Sequence, residues 1–196
     1  MLGDGPRADR FLSLTGLTPD ELDAILHGTT IATNAVIEKK GARCALVTTI
    51  GFRDLLELGR RDRPNMYGLE GTHEPLVPRD LRFEVTERML ASGEVHAELV
   101  EAEVLAVIER LKKKRIQSVA VLFLHAYRNP THERRVRELL RQHLPDAFVS
   151  ISSDLSQEYR EYERTSTVVA NAYIGPRVDR YLGEIESTLK EVDFPG

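Results

Sequence analysis

The sequence has no tryptophan, one cysteine and three methionines, and aromatic residues make up only 6% of its 196 positions. A single thiol excludes an internal disulfide and any metal site built on several cysteines. Cys44 stands in the short run Ala42 to Val47, where a thiol reads as buried and inert rather than nucleophilic. No apolar stretch is long enough to span a bilayer. The first residues, Met1-Leu2-Gly3-Asp4-Gly5-Pro6-Arg7, lack the apolar core of a signal peptide, so a cytoplasmic location is the default expectation. Positive charge is not in excess either: 27 Lys and Arg against 31 Asp and Glu leave a net charge of −4. That is a poor basis for general nucleic-acid binding, which rests on phosphate neutralisation. There is no Walker loop and no Gly-x-Ser-x-Gly elbow. Gly3-Asp4-Gly5 is too near the terminus, with no strand before it, to be a dinucleotide fingerprint. His125 and His132 have no neighbours at zinc-ligand spacing, and His73, His96 and His143 read as surface residues. No internal repeat or low-complexity tract is present.

What is there suits a globular chain of one domain, or one and a partial second, with 41% hydrophobic and 30% charged residues. Residues 1–16 are weakly patterned, and 17–175 read as a domain. Thr18-Pro19-Asp20-Glu21 is a helix start, with Thr18 as cap, Pro19 in the first turn and Glu21 completing a capping box. Ala45-Leu46-Val47-Thr48 reads as a strand broken by Gly51, and Phe52 to Leu58 as a short helix. Residues 59–82 hold Pro64, Pro75 and Pro78 and little periodicity, the mark of a long functional or disordered loop. Phe83 to Leu99 reads as a hairpin turning at Ser92-Gly93.

From there helices and strands alternate. Glu98 to Arg115 is an amphipathic helix with Val100, Val104, Ile108 and Leu111 on one stripe. Its acids lie first and Lys112-Lys113-Lys114-Arg115 last, as the helix dipole favours. Val119 to Leu124 is continuously apolar, as in a strand buried on both faces. Asn129-Pro130 opens a helix with Val136, Leu139 and Leu140 inward, which ends by Pro145, and Ala147 to Ile151 is a third strand. Such alternation implies an α/β fold with parallel pairing. A last helix starts near Glu163, and Pro176 is expected to interrupt or kink it. Over 176–196, Val178, Tyr181, Leu182, Ile185 and Leu189 form an apolar stripe that folds back or awaits a partner.

The densest chemistry is His27-Gly28-Thr29-Thr30-Ile31-Ala32-Thr33-Asn34-Ala35. A polar turn that opens a helix can hold anions or reacting carbonyls, because the first helical N–H groups are unpartnered. His27 could donate to a carbonyl or shuttle a proton, or bond to backbone as a structural histidine. Gly28 lets a ligand approach the backbone. Thr29, Thr30, Thr33 and Asn34 could orient an amide or phosphate, with helix capping as the competing explanation. Arg53, Arg60, Arg61 and Arg63 could fork onto carboxylate or phosphate, or form a solvated turn. Glu158, Glu161 and Glu163, crowded with Arg160 and Arg164, could supply a general base or a metal ligand, or be a charged helix start.

The stretch His27 to Ala35 resembles the signature of the hydantoinase/5-oxoprolinase family, in its N-terminal region. Four further segments are similar to that family's blocks in the same order: Thr48 to Arg60, Phe123 to Glu133, Glu161 to Thr167, and Asn171-Ala172-Tyr173. The superfamily includes the nucleotide-binding subunits of acetone and acetophenone carboxylases.

The resemblance implies a partial actin/sugar-kinase-like (ribonuclease H-like) ATPase domain, with a mixed, partly parallel sheet flanked by helices. It implies an ATP-dependent hydrolase that opens a hydantoin or lactam by phosphorylating its carbonyl. Alternatives are a ketone carboxylase, or a non-catalytic module that docks on a partner. By resemblance His27, Thr29, Thr30, Asn34 and Glu161 would be catalytic. Gly28, Thr33, Arg53, Arg60, Arg63, Arg164 and Thr165 would touch substrate. ATP and Mg²⁺ would serve the complete enzyme without binding tightly to this chain alone, since the family's Asp-x-Gly-Gly-Thr-x-x-Asp hairpin and its later nucleotide motifs are not in it. The expected partners are a small cyclic amide and the remainder of the subunit or a hydantoinase B-type second subunit, with no nucleic acid and no membrane. The chain reads as an internal piece of a longer subunit, with 176–196 leading toward a second domain.

Overall fold

Val119, Ala120, Val121 and Leu122 carry no group that water would favour, and they lie at the centre of the protein, none more than 0% exposed. A computed structural model describes residues 28–60 and 74–191, together with Leu14, Gly16, Thr18, Glu21 and Ala24. The chain divides into two compact units, one formed by Met1–Lys40 with Pro176–Gly196, the other by Gly41–Gly175. In the first, α1 (Ile31–Ile37) follows the polar loop. The expected capping contact of Glu21 is present: its carboxylate accepts from the Thr18 N–H at 2.8 Å and the Thr18 hydroxyl at 3.0 Å.

The second unit contains β1 (Cys44–Thr49), α2 (Leu55–Leu58), a 3₁₀ turn (Arg79–Leu81), β2 (Arg82–Val85), β3 (Arg88–Met89) and β4 (Val95–Ala97). It continues with α3 (Glu101–Lys113), β5 (Ser118–Leu122), α4 (Thr131–His143), β6 (Phe148–Ile151) and α5 (Ser152–Leu155). The long α6 (Glu161–Glu191) starts in this unit and ends in the other.

Four strands pair in the order β2-β1-β5-β6, all parallel, with Val47 opposite Phe83, Leu46 opposite Ala120, and Ala120 opposite Ser150. The parallel α/β sheet flanked by helices is therefore as expected, and its antiparallel part is a separate ribbon of β3 and β4. Both central strands are buried along their whole length, which is why they read as apolar runs rather than alternating ones. Helices cover them with Val104, Val107, Ile108 and Leu111 of α3, Val136, Leu139 and Leu140 of α4, and Val168, Val169 and Ala172 of α6, in one continuous core.

Three expectations are corrected. Phe83 to Leu99 is not one hairpin: Arg82–Val85 joins the main sheet beside β1, and only β3 and β4 form the ribbon, closed by the Gly93 N–H on the Leu90 carbonyl. Phe83 and Val85 alternate with polar neighbours in either arrangement, so the pattern marks a strand without choosing its partner. Val100 lies just outside α3 and is 37% exposed, and Val107 takes its place on the buried stripe. Of the interruption or kink expected at Pro176, the interruption does not occur: α6 is helical on both sides of it. Proline disfavours a helical residue before it by clashing with that residue's Cβ. Gly175 has none, and the Phe148 ring comes within 2.4 Å of the place a Cβ would occupy. Among the described residues no helix is long and apolar enough to cross a membrane.

Candidate functional site

Parallel sheets bind ligands beyond the carboxyl ends of their strands, where helix-bound side chains and strand-end turns meet. Here that edge is formed by Thr49 at the end of β1, Phe123 to His125 after β5, and Ser152-Ser153 after β6. Glu133 of α4 ties two of these ends together. Its carboxylate accepts from the Phe123 N–H at 2.8 Å, the Ser153 N–H at 2.9 Å and the Ser152 hydroxyl at 2.6 Å. Arg164 of α6 donates to the Phe123 carbonyl at 2.9 Å and to the Ser152 hydroxyl at 2.5 Å, and lies 3.6 Å from Glu133. Burial pushes the Glu133 carboxyl up while Ser152, Phe123 and Ser153 pull it down. Burial likewise pushes Arg164 down, against Glu133, Tyr127 and Glu161, which favour its charge.

A second buried network braces β1. The Thr49 hydroxyl donates to Glu87 and accepts from the Leu124 N–H at 3.2 Å, while His132 Nδ1 lies 2.9 Å from the other Glu87 oxygen. Glu87 and Glu133 were not singled out from the sequence. A signal existed for Glu133, since it falls on the same inward stripe of α4 as Val136 and Leu140.

The candidate residues divide between the units. In the smaller one Gly28, Thr29, Thr30, Thr33 and Asn34 are all exposed. The Thr29 hydroxyl accepts from the Ile31 N–H at 3.2 Å, and Thr30 accepts from the Asn34 side-chain amide at 3.3 Å. Thr30 occupies the N-cap position without a side-chain capping bond, so the local role of closing the turn belongs to Thr29. Among the described residues, nothing lies within 4 Å of a Cβ built on Gly28. His27, Arg61 and Arg63 lie outside the described residues.

In the larger unit Arg60 Nε bonds to Glu163 at 2.9 Å, joining two segments that the resemblance had paired only by order. Glu163 is held below the ordinary carboxylate range, first by its own backbone N–H and then by Arg60 and Arg160. Arg60, Glu158, Tyr162, Glu163, Ser166 and Thr167 line an open cleft of about 490 Å³. Arg53 is partly exposed, with its Nε 3.9 Å from Glu84, and its N–H donates to the same carboxylate at 3.3 Å. Glu161 is exposed at the start of α6. Arg164 and Thr165, for which the resemblance implies contact with substrate, are 1% and 0% exposed. One terminal nitrogen of Arg164 donates to the Phe123 carbonyl and the Ser152 hydroxyl, and the Thr165 hydroxyl donates back to the Glu161 carbonyl at 2.6 Å. Among the described residues no group of three His, Cys, Asp or Glu side chains is placed to hold a metal ion.

Comparison with known proteins agrees with this picture. The family model for the hydantoinase/oxoprolinase N-terminal region matches residues 8–144. An uncharacterised protein of Methanocaldococcus jannaschii is 39% identical over 181 residues, 90% of this chain and 27% of that protein. The alpha subunit of caprolactamase from Pseudomonas jessenii is 37% identical over 184 residues, 90% of this chain and 26% of the subunit. The chain thus spans about a quarter of the length of these relatives. The crystal structure of the ATP-dependent caprolactamase from Pseudomonas jessenii superposes with a TM-score of 0.82 at 36% identity, covering 94% of this chain and 28% of that one. A nucleotide-free acetone carboxylase structure gives a TM-score of 0.78 at 27% identity over 92% of this chain and 28% of that one. The chain shares the actin-like α/β fold of these two structures.

Proposed function

The chain belongs to the hydantoinase/oxoprolinase family, and from that premise we propose that it supplies part of an ATP-dependent enzyme that opens the ring of a cyclic amide. The observation that carries this reading is the likeness to caprolactamase, which holds at once in sequence, at 37% identity, and in fold, at a TM-score of 0.82. A lactam carbonyl is a poor electrophile, and transfer of a phosphoryl group to its oxygen turns that oxygen into a leaving group that attack by water can expel. The nucleotide would supply that activation in the whole protein. ATP and Mg²⁺ would serve the complete enzyme, since the Asp-x-Gly-Gly-Thr-x-x-Asp hairpin does not occur in this sequence.

The chain's own residues have narrower tasks. Thr29, Thr30, Thr33 and Asn34 are exposed hydroxyl and amide donors beside Gly28, suited to an amide oxygen. His27 would join them as donor or proton shuttle. Arg53, Arg60 and Arg63 would recognise an anionic group, and exposed Glu161 would accept a proton from water. Arg164 and Thr165 would act from within, by holding the strand ends and the first turn of α6. A second subunit is part of the proposal, because the caprolactamase relative is itself named as an alpha subunit. The acetone carboxylase likeness favours a second reading, in which the activated molecule is a ketone.

The test is ATP consumption by the intact protein that contains this chain, with its partner subunit. Caprolactam, 5-oxoproline and hydantoin are offered in one series, acetone and acetophenone with bicarbonate in another. Ring opening matched to ATP consumption supports the amide reading. Consumption with ketones alone replaces it by the carboxylase reading. The 196-residue chain by itself is expected to show no saturable Mg-ATP hydrolysis, and such hydrolysis would overturn the assignment of the nucleotide site elsewhere.

A further inference from the structure

The cleft at the start of α6 is lined by polar groups that the protein leaves unspent. Gly59 ends α2 with a left-handed φ of 51°, and the Tyr162 hydroxyl lies 3.7 Å from the place a Cβ would occupy on it. The next residue, Arg60, donates from Nε to Glu163 at 2.9 Å. Arg160 Nη1 lies 3.7 Å from the same Glu163 oxygen. Glu163 is therefore already offset by two guanidiniums.

That contact does not exhaust Arg60. Among the described residues its terminal nitrogens make no hydrogen bond, although a guanidinium offers them as a planar fork. The Glu158 carboxylate has neither a hydrogen bond nor an ion pair among the described residues; only its backbone N–H is engaged, donating to the Ser156 hydroxyl at 3.3 Å. The Tyr162 and Ser166 hydroxyls are likewise without partners there, whereas the Thr167 hydroxyl donates to the Glu163 carbonyl at 2.9 Å. All the lining residues belong to the larger unit, and the 490 Å³ between them lies within the range of small-molecule sites.

The unspent groups are of opposite sign. A simple anion on the Arg60 fork would meet the Glu158 carboxylate as a like charge, and a simple cation on Glu158 would leave the fork unused. A ligand with both charges uses both. We propose that the cleft binds a small amino acid as its zwitterion, with the carboxylate on the terminal nitrogens of Arg60, the ammonium on Glu158, and the Tyr162 and Ser166 hydroxyls completing its polar contacts. The source of such a ligand rests on the amide reading above. Hydrolysis adds water across the C–N bond of a cyclic amide and leaves an amine and a carboxylic acid on one molecule. An uncharged lactam thus becomes a zwitterion, and the cleft would hold the product rather than the substrate.

The test is isothermal titration calorimetry of the 196-residue chain with 6-aminohexanoate and with L-glutamate. Each is compared, at equal ionic strength, with the acid that lacks its ammonium, hexanoate or glutarate. The amine 1-aminohexane and uncharged caprolactam complete the series. At least one amino acid should bind saturably, and its singly functional and uncharged counterparts roughly tenfold more weakly or less, the loss of one hydrogen bond between charged groups. Arg60 and Glu158 are exposed, so Arg60→Gln and Glu158→Gln should fold, and each should weaken amino-acid binding roughly tenfold. Glu158→Gln should also remove the preference for the amino acid over the acid without its ammonium. No saturable binding of either amino acid, equal affinity for a counterpart with one charge, or unchanged affinity in folded Glu158→Gln would each overturn the proposal. Binding here with ATP consumption on ketones alone would keep the site and remove the amide reading. Lactam-driven ATP consumption without binding here would remove the site and keep that reading.

Discussion

The guanidinium of Arg164 lies 3.6 Å from the carboxylate of Glu133, with both side chains withdrawn from water, and the two share the Ser152 hydroxyl as a common partner. One comes from α6 and the other from α4, so the pair locks two helices onto the ends of β5 and β6. Removing one member of a buried pair strands the other charge, at a cost of about 3–5 kcal/mol. Arg164→Met is expected to lose that much stability in urea unfolding. A loss below about 1 kcal/mol would show that the pair does not hold the sheet edge.

Arg60 and Glu163 form the opposite kind of pair. The Arg60 side chain is 61% exposed, and surface pairs contribute only about 0–1 kcal/mol. Arg60→Gln should therefore leave the unfolding midpoint almost unchanged. In the intact enzyme the same change should reduce kcat/KM by about tenfold or more, if Arg60 meets an anionic group. Activity equal to wild type in the lactam assay would reduce the pair to a surface contact.

Gly41 has the Tyr173 ring 2.1 Å from the place a Cβ would occupy, and the Tyr173 backbone is anchored because its carbonyl accepts from the Ala42 N–H at 2.8 Å. Gly41→Ala should destabilise by about 1–3 kcal/mol through overpacking. In a Tyr173→Ala background the added methyl should cost almost nothing more. An equal cost of Gly41→Ala in both backgrounds, measured by thermal or urea unfolding, would place the effect in the backbone instead.

His125 makes stability depend on pH. Its folded pKa lies below the unfolded value, so the unfolded chain binds more protons between the two. The stability this neutral ring contributes is present above the ordinary histidine pKa and is lost as pH falls through the folded one. Urea midpoints measured from pH 7.5 to 5 should therefore fall less in His125→Asn than in wild type. Parallel profiles would mean that His125 does not titrate as its surroundings dictate.

Much of this fold is legible in the residues one by one. Val119 to Leu122 announces a doubly buried strand because no polar face is left to point at water. The α3 and α4 stripes announce helices by their spacing, and Thr18 with Glu21 announces a cap by its chemistry. Arg82 is the contrary case. It reads as a loop-end cation, yet its side chain is wholly buried, donating to the Val77 carbonyl at 2.9 Å and to Glu57 at 3.3 Å. Nothing local distinguishes it from exposed Arg79, which pairs with Asp54 at 2.9 Å. The acceptors that make Arg82 tolerable inside come from α2 and from the loop before the 3₁₀ turn.

The candidate site divides the same way. The hydroxyl-rich loop from Gly28 to Asn34 stands out by composition, and its exposure follows from having too few apolar groups to bury. Arg164 and Thr165 stand in a segment just as polar, and their burial came from packing against strands more than a dozen positions away.

By itself the sequence determined the alternation of strands and helices, the parallel sheet and the family signature, because periodicity, caps and short motifs act between residues a few positions apart. Tertiary structure alone decided that β2 pairs with β1, that α6 continues through Pro176, and that the Glu133, Arg164, Glu87 and His132 side chains are buried in shared hydrogen-bond and ion-pair networks. Those outcomes depend on which groups from distant segments satisfy a buried charge or fill the space beside a glycine. Such partners are chosen by the whole packed chain.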